Sequence, residues 1–260
     1  MTRLAFVDLD GTLLGPDRRV SAENERALAR LRAAGCEIVL ASGRHHRNIL
    51  ALAAVGADGW ILSSHGVVVR HARSDEAILE MGIAFDDVVA LCRIARDREL
   101  SVIAYHRDGA FIEARTRWTE TYAEKTGWSP PVVRFDSLDP RGFQKVLLSD
   151  EPARIAELHA SLPAELSARH HAVITEPELL ELLARGANKA TGAAALAARL
   201  GASDTLAFGD GNNDVELLAW AGRSVAMAHG REAARRAAKH VTEPGAPETA
   251  FARAVEIVLA

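Results

Sequence analysis

The chain has 260 residues, is 48% hydrophobic and carries a formal charge of −4, from 31 Lys and Arg against 35 Asp and Glu. That length buries a large core in one or two domains, and the slight acidity argues against nucleic-acid binding, since such proteins are usually basic. Two cysteines without CxxC spacing, Cys36 and Cys92, argue against a disulfide framework and suit a reducing cytosol. Asp8 follows only a few apolar residues, so no signal peptide is expected, and apolar runs such as 49–57 are too short to span a bilayer.

Leu4-Ala5-Phe6-Val7 is a continuous apolar run ending in Asp8, the pattern of a fully buried parallel strand. Ser21 is placed as an N-cap ahead of Ala27, Leu28 and Leu31 at helical spacing, with Gly35 as the stop. A strand at Ile38–Ala41 ends in Ser42-Gly43-Arg44; a helix through Val55 and a strand at Trp60–Leu62 follow. This β-α-β-α-β order predicts a parallel sheet covered on both faces.

From about residue 83 the rhythm changes. A helix over 86–98 leads to a hairpin, Val102–Tyr105 and Ala110–Glu113, turned by Arg107-Asp108-Gly109. A strand at Lys145–Leu148, a helix after Pro152 and strands at 172–175 and 179–183 complete an α+β unit. The α/β rhythm returns with an Ala-rich helix from Lys189 to Leu200, stopped by Gly201, and a buried strand at Thr205–Phe208. A strand at Val225–Met227, a helix from about Arg231 and a short strand at Val241 close the pattern. The expected fold is α/β: a Rossmann-like core with a parallel sheet built from 1–82 and 186–260, plus an inserted α+β unit at 83–185.

Two acidic signatures stand at strand ends about 200 residues apart, Asp8-Leu9-Asp10-Gly11-Thr12 and Gly209-Asp210-Gly211-Asn212-Asn213-Asp214. Ligands of open α/β sheets bind beyond the carboxyl ends of the strands, so the two ends side by side form an oxygen-rich mouth suited to Mg²⁺ and phosphate. Carboxylates at i and i+2 can divide the labour. Asp8 can attack phosphorus, while Asp10 can protonate the leaving alkoxide and later deprotonate water, its backbone carbonyl also being a possible metal ligand. Asp210 is a candidate Mg²⁺ ligand with Asp8, and Asn213 and Asp214 can complete or orient the shell. The bland alternative is an Asx-rich turn in which Asn213 caps the helix running through Leu218, a role compatible with the site. Ser42 and the next backbone N–H, that of Gly43, can hold a phosphoryl oxygen; Lys189 can neutralise charge between Asp8 and the phosphate; Arg44 is placed to reach substrate oxygens.

The ordered set Asp8-x-Asp10-Gly-Thr, Ser42-Gly-Arg44, Lys189 and Gly209-Asp210-x-x-Asn213-Asp214 resembles the haloacid dehalogenase (HAD) superfamily. The position of the inserted unit and the tail around Val225-Ala226-Met227 are similar to its Cof-type sugar-phosphatase branch with a type IIB cap. The resemblance implies Mg²⁺-dependent phosphomonoester hydrolysis. In it, Asp8 is the nucleophile, Asp10 the general acid/base, Ser42 and Lys189 phosphate holders and Asp210 a metal ligand, with Asn213 and Asp214 in support. Relatives commonly carry Asn-Gly-Ala after the third strand and Gly-Asn after the tail Met, where this chain has His65-Gly66-Val67 and Ala228-His229.

The expectation is a cytoplasmic phosphatase acting on a small phosphorylated metabolite, such as a sugar phosphate, with neither nucleic acid nor membrane as partner. The alternatives are a phosphomutase on the same core and a non-enzymatic binding protein. The paired histidines His45-His46 and His170-His171 are not expected to bind metal, because adjacent side chains diverge. Tyr105, His106, Arg107 and Arg117 are candidate pocket residues of the inserted unit, mostly surface side chains. Trp118, Trp128 and Trp220 are expected to be packing anchors.

Overall fold

The computed structural model describes residues 2–50, 52 and 59–260, and the chain divides into two units, one of residues up to Leu79 plus Asn188–Ala260, the other Glu80–Ala187. In chain order the first unit opens with β1 (Arg3–Val7), α1 (Ala22–Ala33), β2 (Cys36–Ala41), α2 (His46–Leu50), β3 (Trp60–Ser63), β4 (Val68–His71) and β5 (Ala77–Glu80). The Ser21 side chain caps α1 by accepting from Asn24 N. The helix expected to run through Val55 is observed as α2; Ala51 and 53–58 lie outside the described residues.

The second unit contains α3 (Phe85–Asp97), β6 (Ser101–His106), β7 (Gly109–Phe111), α4 (Arg117–Thr126), β8 (Phe143–Ser149), α5 (Pro152–Ala160), α6 (Ala164–Arg169), β9 (His170–Glu176) and β10 (Leu179–Ala184). Its strands form an antiparallel sheet in the order β7-β6-β8-β10-β9. One face packs Phe143, Val146, Leu148 and Leu180 with Val88 and Leu91 of α3 and Ile155 and Leu158 of α5; the other carries a smaller cluster with Tyr122 of α4. The candidate pocket residues Tyr105 and His106 are not surface side chains. The Tyr105 hydroxyl lies 2.8 Å from that of Tyr122, and His106 Nε2 lies 3.0 Å from the Asp139 carbonyl, in both cases within packed interior. His170 pairs with Asp87 at 2.8 Å while His171 is exposed, as diverging neighbours on a strand must.

The chain returns to the first unit with α7 (Lys189–Leu200), β11 (Asp204–Gly209), α8 (Val215–Trp220), β12 (Arg223–Ala226), α9 (Glu232–Ala237), β13 (His240–Val241) and α10 (Ala250–Leu259). Its sheet runs β13-β12-β11-β1-β2-β3-β4-β5, parallel from β13 to β3, with β4 antiparallel to β3. Alternate residues of β1 serve opposite faces. Ala5 and Val7 pack with Leu28 and Leu31 of α1 and Phe251 and Val255 of α10; Leu4 and Phe6 pack with Leu196 of α7 and Leu217 and Leu218 of α8. Burial on both faces is why the strands read as unbroken apolar runs. Trp220 meets Phe6 edge-on with ring centroids 5.8 Å apart.

Strand register places the functional loops. Val7 pairs with Leu40 on one side and Phe208 on the other, so Asp8 emerges between the Ser42 loop and the Gly209-Asp210 loop. The sheet order reverses here: the chain moves outward from β1 through β2 and β3, and from β11 through β12 and β13, a topological switch point. Among the described residues no helix is long and apolar enough to cross a membrane.

Phe208 is fully buried with its ring edge-on to Phe251 at 5.1 Å. Phe208→Ala should cost about 3–5 kcal/mol, read as a lower denaturant midpoint with little change in the slope of the transition.

Candidate active site

Asp8 continues the ladder of β1, its N–H donating to the Phe208 carbonyl at 3.0 Å. The chain then curls tightly, with Leu13 N–H donating back to the Asp8 carbonyl at 3.2 Å. Gly11 makes this possible twice over. Its φ is +82°, and a Cβ there would lie 2.4 Å from Asp210 Oδ2. Thr12 reaches across with its hydroxyl to donate to Asp210 Oδ1 at 3.0 Å.

Lys189 is the first residue of α7, placed by the Asn188 cap, whose Oδ1 accepts from Thr191 N–H at 2.9 Å. Its ammonium is fully buried and donates at 2.5 Å to both Asp8 Oδ1 and Asp214 Oδ1. The second oxygen of Asp214 accepts from the N–H groups of Asp210 and Gly211 at 3.1 and 2.9 Å. Asp214 thus fixes both the lysine and the loop that presents Asp210. Gly209 lacks a Cβ where one would lie 2.5 Å from the Asp214 carboxyl carbon.

Each of Asp8, Asp210 and Asp214 offers a carboxylate oxygen within 4.8 Å of the others. Three carboxylates around one ammonium leave an excess of negative charge. Burial drives Asp8 well above the ordinary carboxylate range, the charge of Asp214 adding to it and Lys189 opposing it. Burial and Asp214 push Asp210 up to about 6. Burial works against the charge of Lys189, but Asp214 and Asp8 outweigh it and hold the ammonium above its ordinary value. A cation beside Asp210 would favour its ionised form against the upward push of burial and Asp214. An all-oxygen donor set with surplus negative charge therefore fits a hard divalent cation held by Asp8 and Asp210.

The Asp10 side chain stands apart from that cluster. It is 54% exposed, and Arg44 grips it with two hydrogen bonds, Nε to Oδ2 at 2.8 Å and Nη2 to Oδ1 at 2.5 Å. Arg44, expected to face substrate oxygens, is thus a partner of the second acid. Ser42 is buried; its N–H donates to the Leu62 carbonyl at 2.8 Å and its Oγ accepts from Arg44 N–H at 3.2 Å, leaving the hydroxyl proton to donate elsewhere. Asn213 does not cap the following helix, which has no side-chain cap; its amide nitrogen lies 3.1 Å from His65 Nδ1 instead.

Three residues beyond the expected set shape the mouth. His65 packs so closely on Gly43 that a Cβ there would lie 2.3 Å from the imidazole. His229 Nε2 donates to the Gly11 carbonyl at 2.8 Å, tying the loop after β12 to the loop after β1. Gly230 lets that loop approach Asp210, whose carbonyl accepts from Arg231 N–H at 2.7 Å. The rule that singled out Ser42, a polar residue just past a parallel strand, applies equally to the end of β3, where Ser64 and His65 follow, but not to β12, which Met227 and Ala228 follow first.

An α/β sheet with acidic loops at its switch point and a buried lysine, interrupted by an inserted α+β unit, is an arrangement suited to a divalent cation and a phosphate group. Residues 5–254 match the family model of haloacid dehalogenase-like hydrolases. The putative phosphatase YxeH of Bacillus subtilis is 27% identical over 239 residues, 88% of each chain. The HMP-PP phosphatase of Yersinia pseudotuberculosis is 28% identical over 230 residues, 87% of this chain and 84% of that one. A haloacid dehalogenase-like hydrolase from Bacteroides thetaiotaomicron superposes with a TM-score of 0.89 at 27% identity, over 99% of this chain and 100% of that one. The chain belongs to the haloacid dehalogenase-like hydrolases, in their Cof-type branch, and is an enzyme of the phosphatase class.

Removing the shared ammonium should be costly. Lys189→Ala leaves two buried carboxylates without their partner and should lower stability by about 3–5 kcal/mol in metal-free buffer, by chemical denaturation. Adding millimolar Mg²⁺ should raise the Tm of the wild type, and Asp210→Asn should abolish that rise.

Proposed function

We propose that this enzyme hydrolyses a small phosphomonoester, a sugar phosphate in the first instance, with Mg²⁺ as cofactor and Asp8 as nucleophile. The observation that carries the reading is the Lys189 ammonium bridging Asp8 and Asp214 at 2.5 Å each, beside Asp210. This arrangement fixes one oxygen of Asp8 and leaves the carboxylate aimed by its other oxygen. Asp8 and Asp210, with the Asp10 carbonyl, would hold Mg²⁺, which supplies charge neutralisation to the transferring phosphoryl group.

In the first step an Asp8 carboxylate oxygen forms a bond to phosphorus as the ester P–O bond breaks, and protonated Asp10 delivers its proton to the departing alkoxide. Ser42 Oγ–H, the Gly43 N–H and Lys189 hold the phosphoryl oxygens, whose charge is the main thing catalysis must stabilise. In the second step Asp10 takes a proton from water, the water oxygen bonds to phosphorus, and the P–O bond to Asp8 breaks to release inorganic phosphate. Arg44 sets the orientation of Asp10 through its two-point grip and is itself within reach of the entering substrate.

The unit at 80–187 is assigned as the cap that governs access and selects the leaving group, as the resemblance to type IIB caps implies. The similarity to Cof-type sugar phosphatases favours a sugar phosphate. Two free thiols, Cys36 and Cys92, are in keeping with a cytoplasmic setting. The mutase and non-enzymatic alternatives have no observation of their own in support.

A panel of phosphomonoesters assayed for phosphate release tests the reading. Release should require Mg²⁺, and Asp8→Asn should lower kcat by at least about 10³-fold while Asp10→Asn lowers it by about 10²–10⁴-fold. Full turnover by Asp8→Asn would rule out the mechanism.

A further inference from the structure

Ser64-His65-Gly66, just past β3, is left-handed at three consecutive residues, with φ of +51°, +60° and +85°. Residues bearing a Cβ enter this region at a cost, and strain of this kind persists only where the surroundings over-determine it. Here they do. Ser64 N–H donates to the Arg44 carbonyl at 2.9 Å and His65 N–H to the Ser42 carbonyl at 3.0 Å, so the segment is laced to the Ser42–Arg44 loop. On the other side Gly66 is pressed against α7, where a Cβ would lie 2.3 Å from the Asn188 carbonyl and 3.1 Å from Lys189 Cα.

The left-handed backbone at His65 aims its imidazole into the mouth. The ring lies against Gly43, and Nδ1 stands 3.1 Å from the Asn213 amide nitrogen. An amide nitrogen donates, so in this contact Nδ1 is the acceptor.

The geometry points to His65 as a positioning residue for the phosphoryl seat. It sets the spacing between the Ser42-Gly43 loop and the Gly209–Asp214 loop by bracing one and hydrogen-bonding the other. The inference rests on the proposed phosphatase reading of the same site. A ring that fixes two of the groups around phosphorus acts through them, and misplacement of such groups is felt mainly in the transition state. Asn is the conservative replacement, since it enters the left-handed region readily and its oxygen can accept from Asn213. Gly removes the strain and the ring together.

The test is steady-state turnover of p-nitrophenyl phosphate with Mg²⁺, alongside Tm, for His65→Ala, His65→Gly, His65→Asn, Asn213→Ala and the His65→Ala/Asn213→Ala pair. His65→Ala and His65→Gly should each lose about tenfold or more in kcat/KM, chiefly in kcat, with His65→Gly holding its Tm within a few degrees. His65→Asn should recover most of the loss, and the double variant should be no slower than the slower single one. Kinetic constants within about twofold of wild type in His65→Gly would overturn the inference, as would losses that multiply in the double variant. A wild type that releases no phosphate would overturn the phosphatase reading instead. Positioning is then read from calorimetric binding of inorganic phosphate, which His65→Gly should weaken about fivefold or more; unchanged affinity would overturn it.

Discussion

The site depends on one buried cation shared by two buried carboxylates. Lys189 has no access to water, and burying a charge without partners is costly. Asp214 and Asp8, both buried beside it, are those partners. That interdependence dictates local structure: α7 must begin at Lys189, Asn188 must cap it, and the helix must approach the end of β3 closely enough that Gly66 and Gly192 meet without side chains. The cluster remains short of positive charge even with the lysine in place. A cluster with more negative charge than its lysine neutralises suits a cation, which is what the proposed reading places there.

Backbone geometry supplies the rest. Because β1 runs in register between β2 and β11, residues remote in sequence arrive at one edge of the sheet without further design. Glycines then set how near they come. Gly11, Gly209 and Gly230 stand where a Cβ would strike Asp210 or Asp214. The His65 segment is the opposite case, since Ser64 and His65 carry side chains where glycine would be easier. Local rules are broken there while the Ser64 and His65 N–H groups are both paired, a pattern that marks strain held in place by its surroundings.

Much of this was legible in the sequence because the signals are local. Buried strands appear as apolar runs, and the Ser21 cap, the bounds of α7 and the acidic loops follow from short-range pattern. What escaped depends on partners across the sheet. Nothing near Asn213 says that its amide turns to a histidine 148 residues away instead of capping a helix. The same holds for Arg44, whose guanidinium is taken up by Asp10. Tyr105 and His106 look like surface residues beside a turn, yet the packing of α4 and the fold of β8 bury them. Helix α4 itself went unread because its capping box is Thr116 with Thr119, without the Glu or Gln that usually marks one. The β4–β5 hairpin and α10 also lay outside the expected elements, short pieces whose placement is decided by the sheet edge and face they cover.

The central claim is that phosphorus is bonded to Asp8 midway through the reaction. Quenching the enzyme during turnover of a good substrate with Mg²⁺, reducing with borohydride and sequencing the N-terminal peptide by mass spectrometry addresses it directly. Borohydride converts an aspartyl-phosphate to homoserine and leaves a free carboxylate untouched. The account predicts homoserine at position 8 and aspartate at position 10. Phosphate release with Asp8 unmodified, or modification at Asp10 instead, would contradict it.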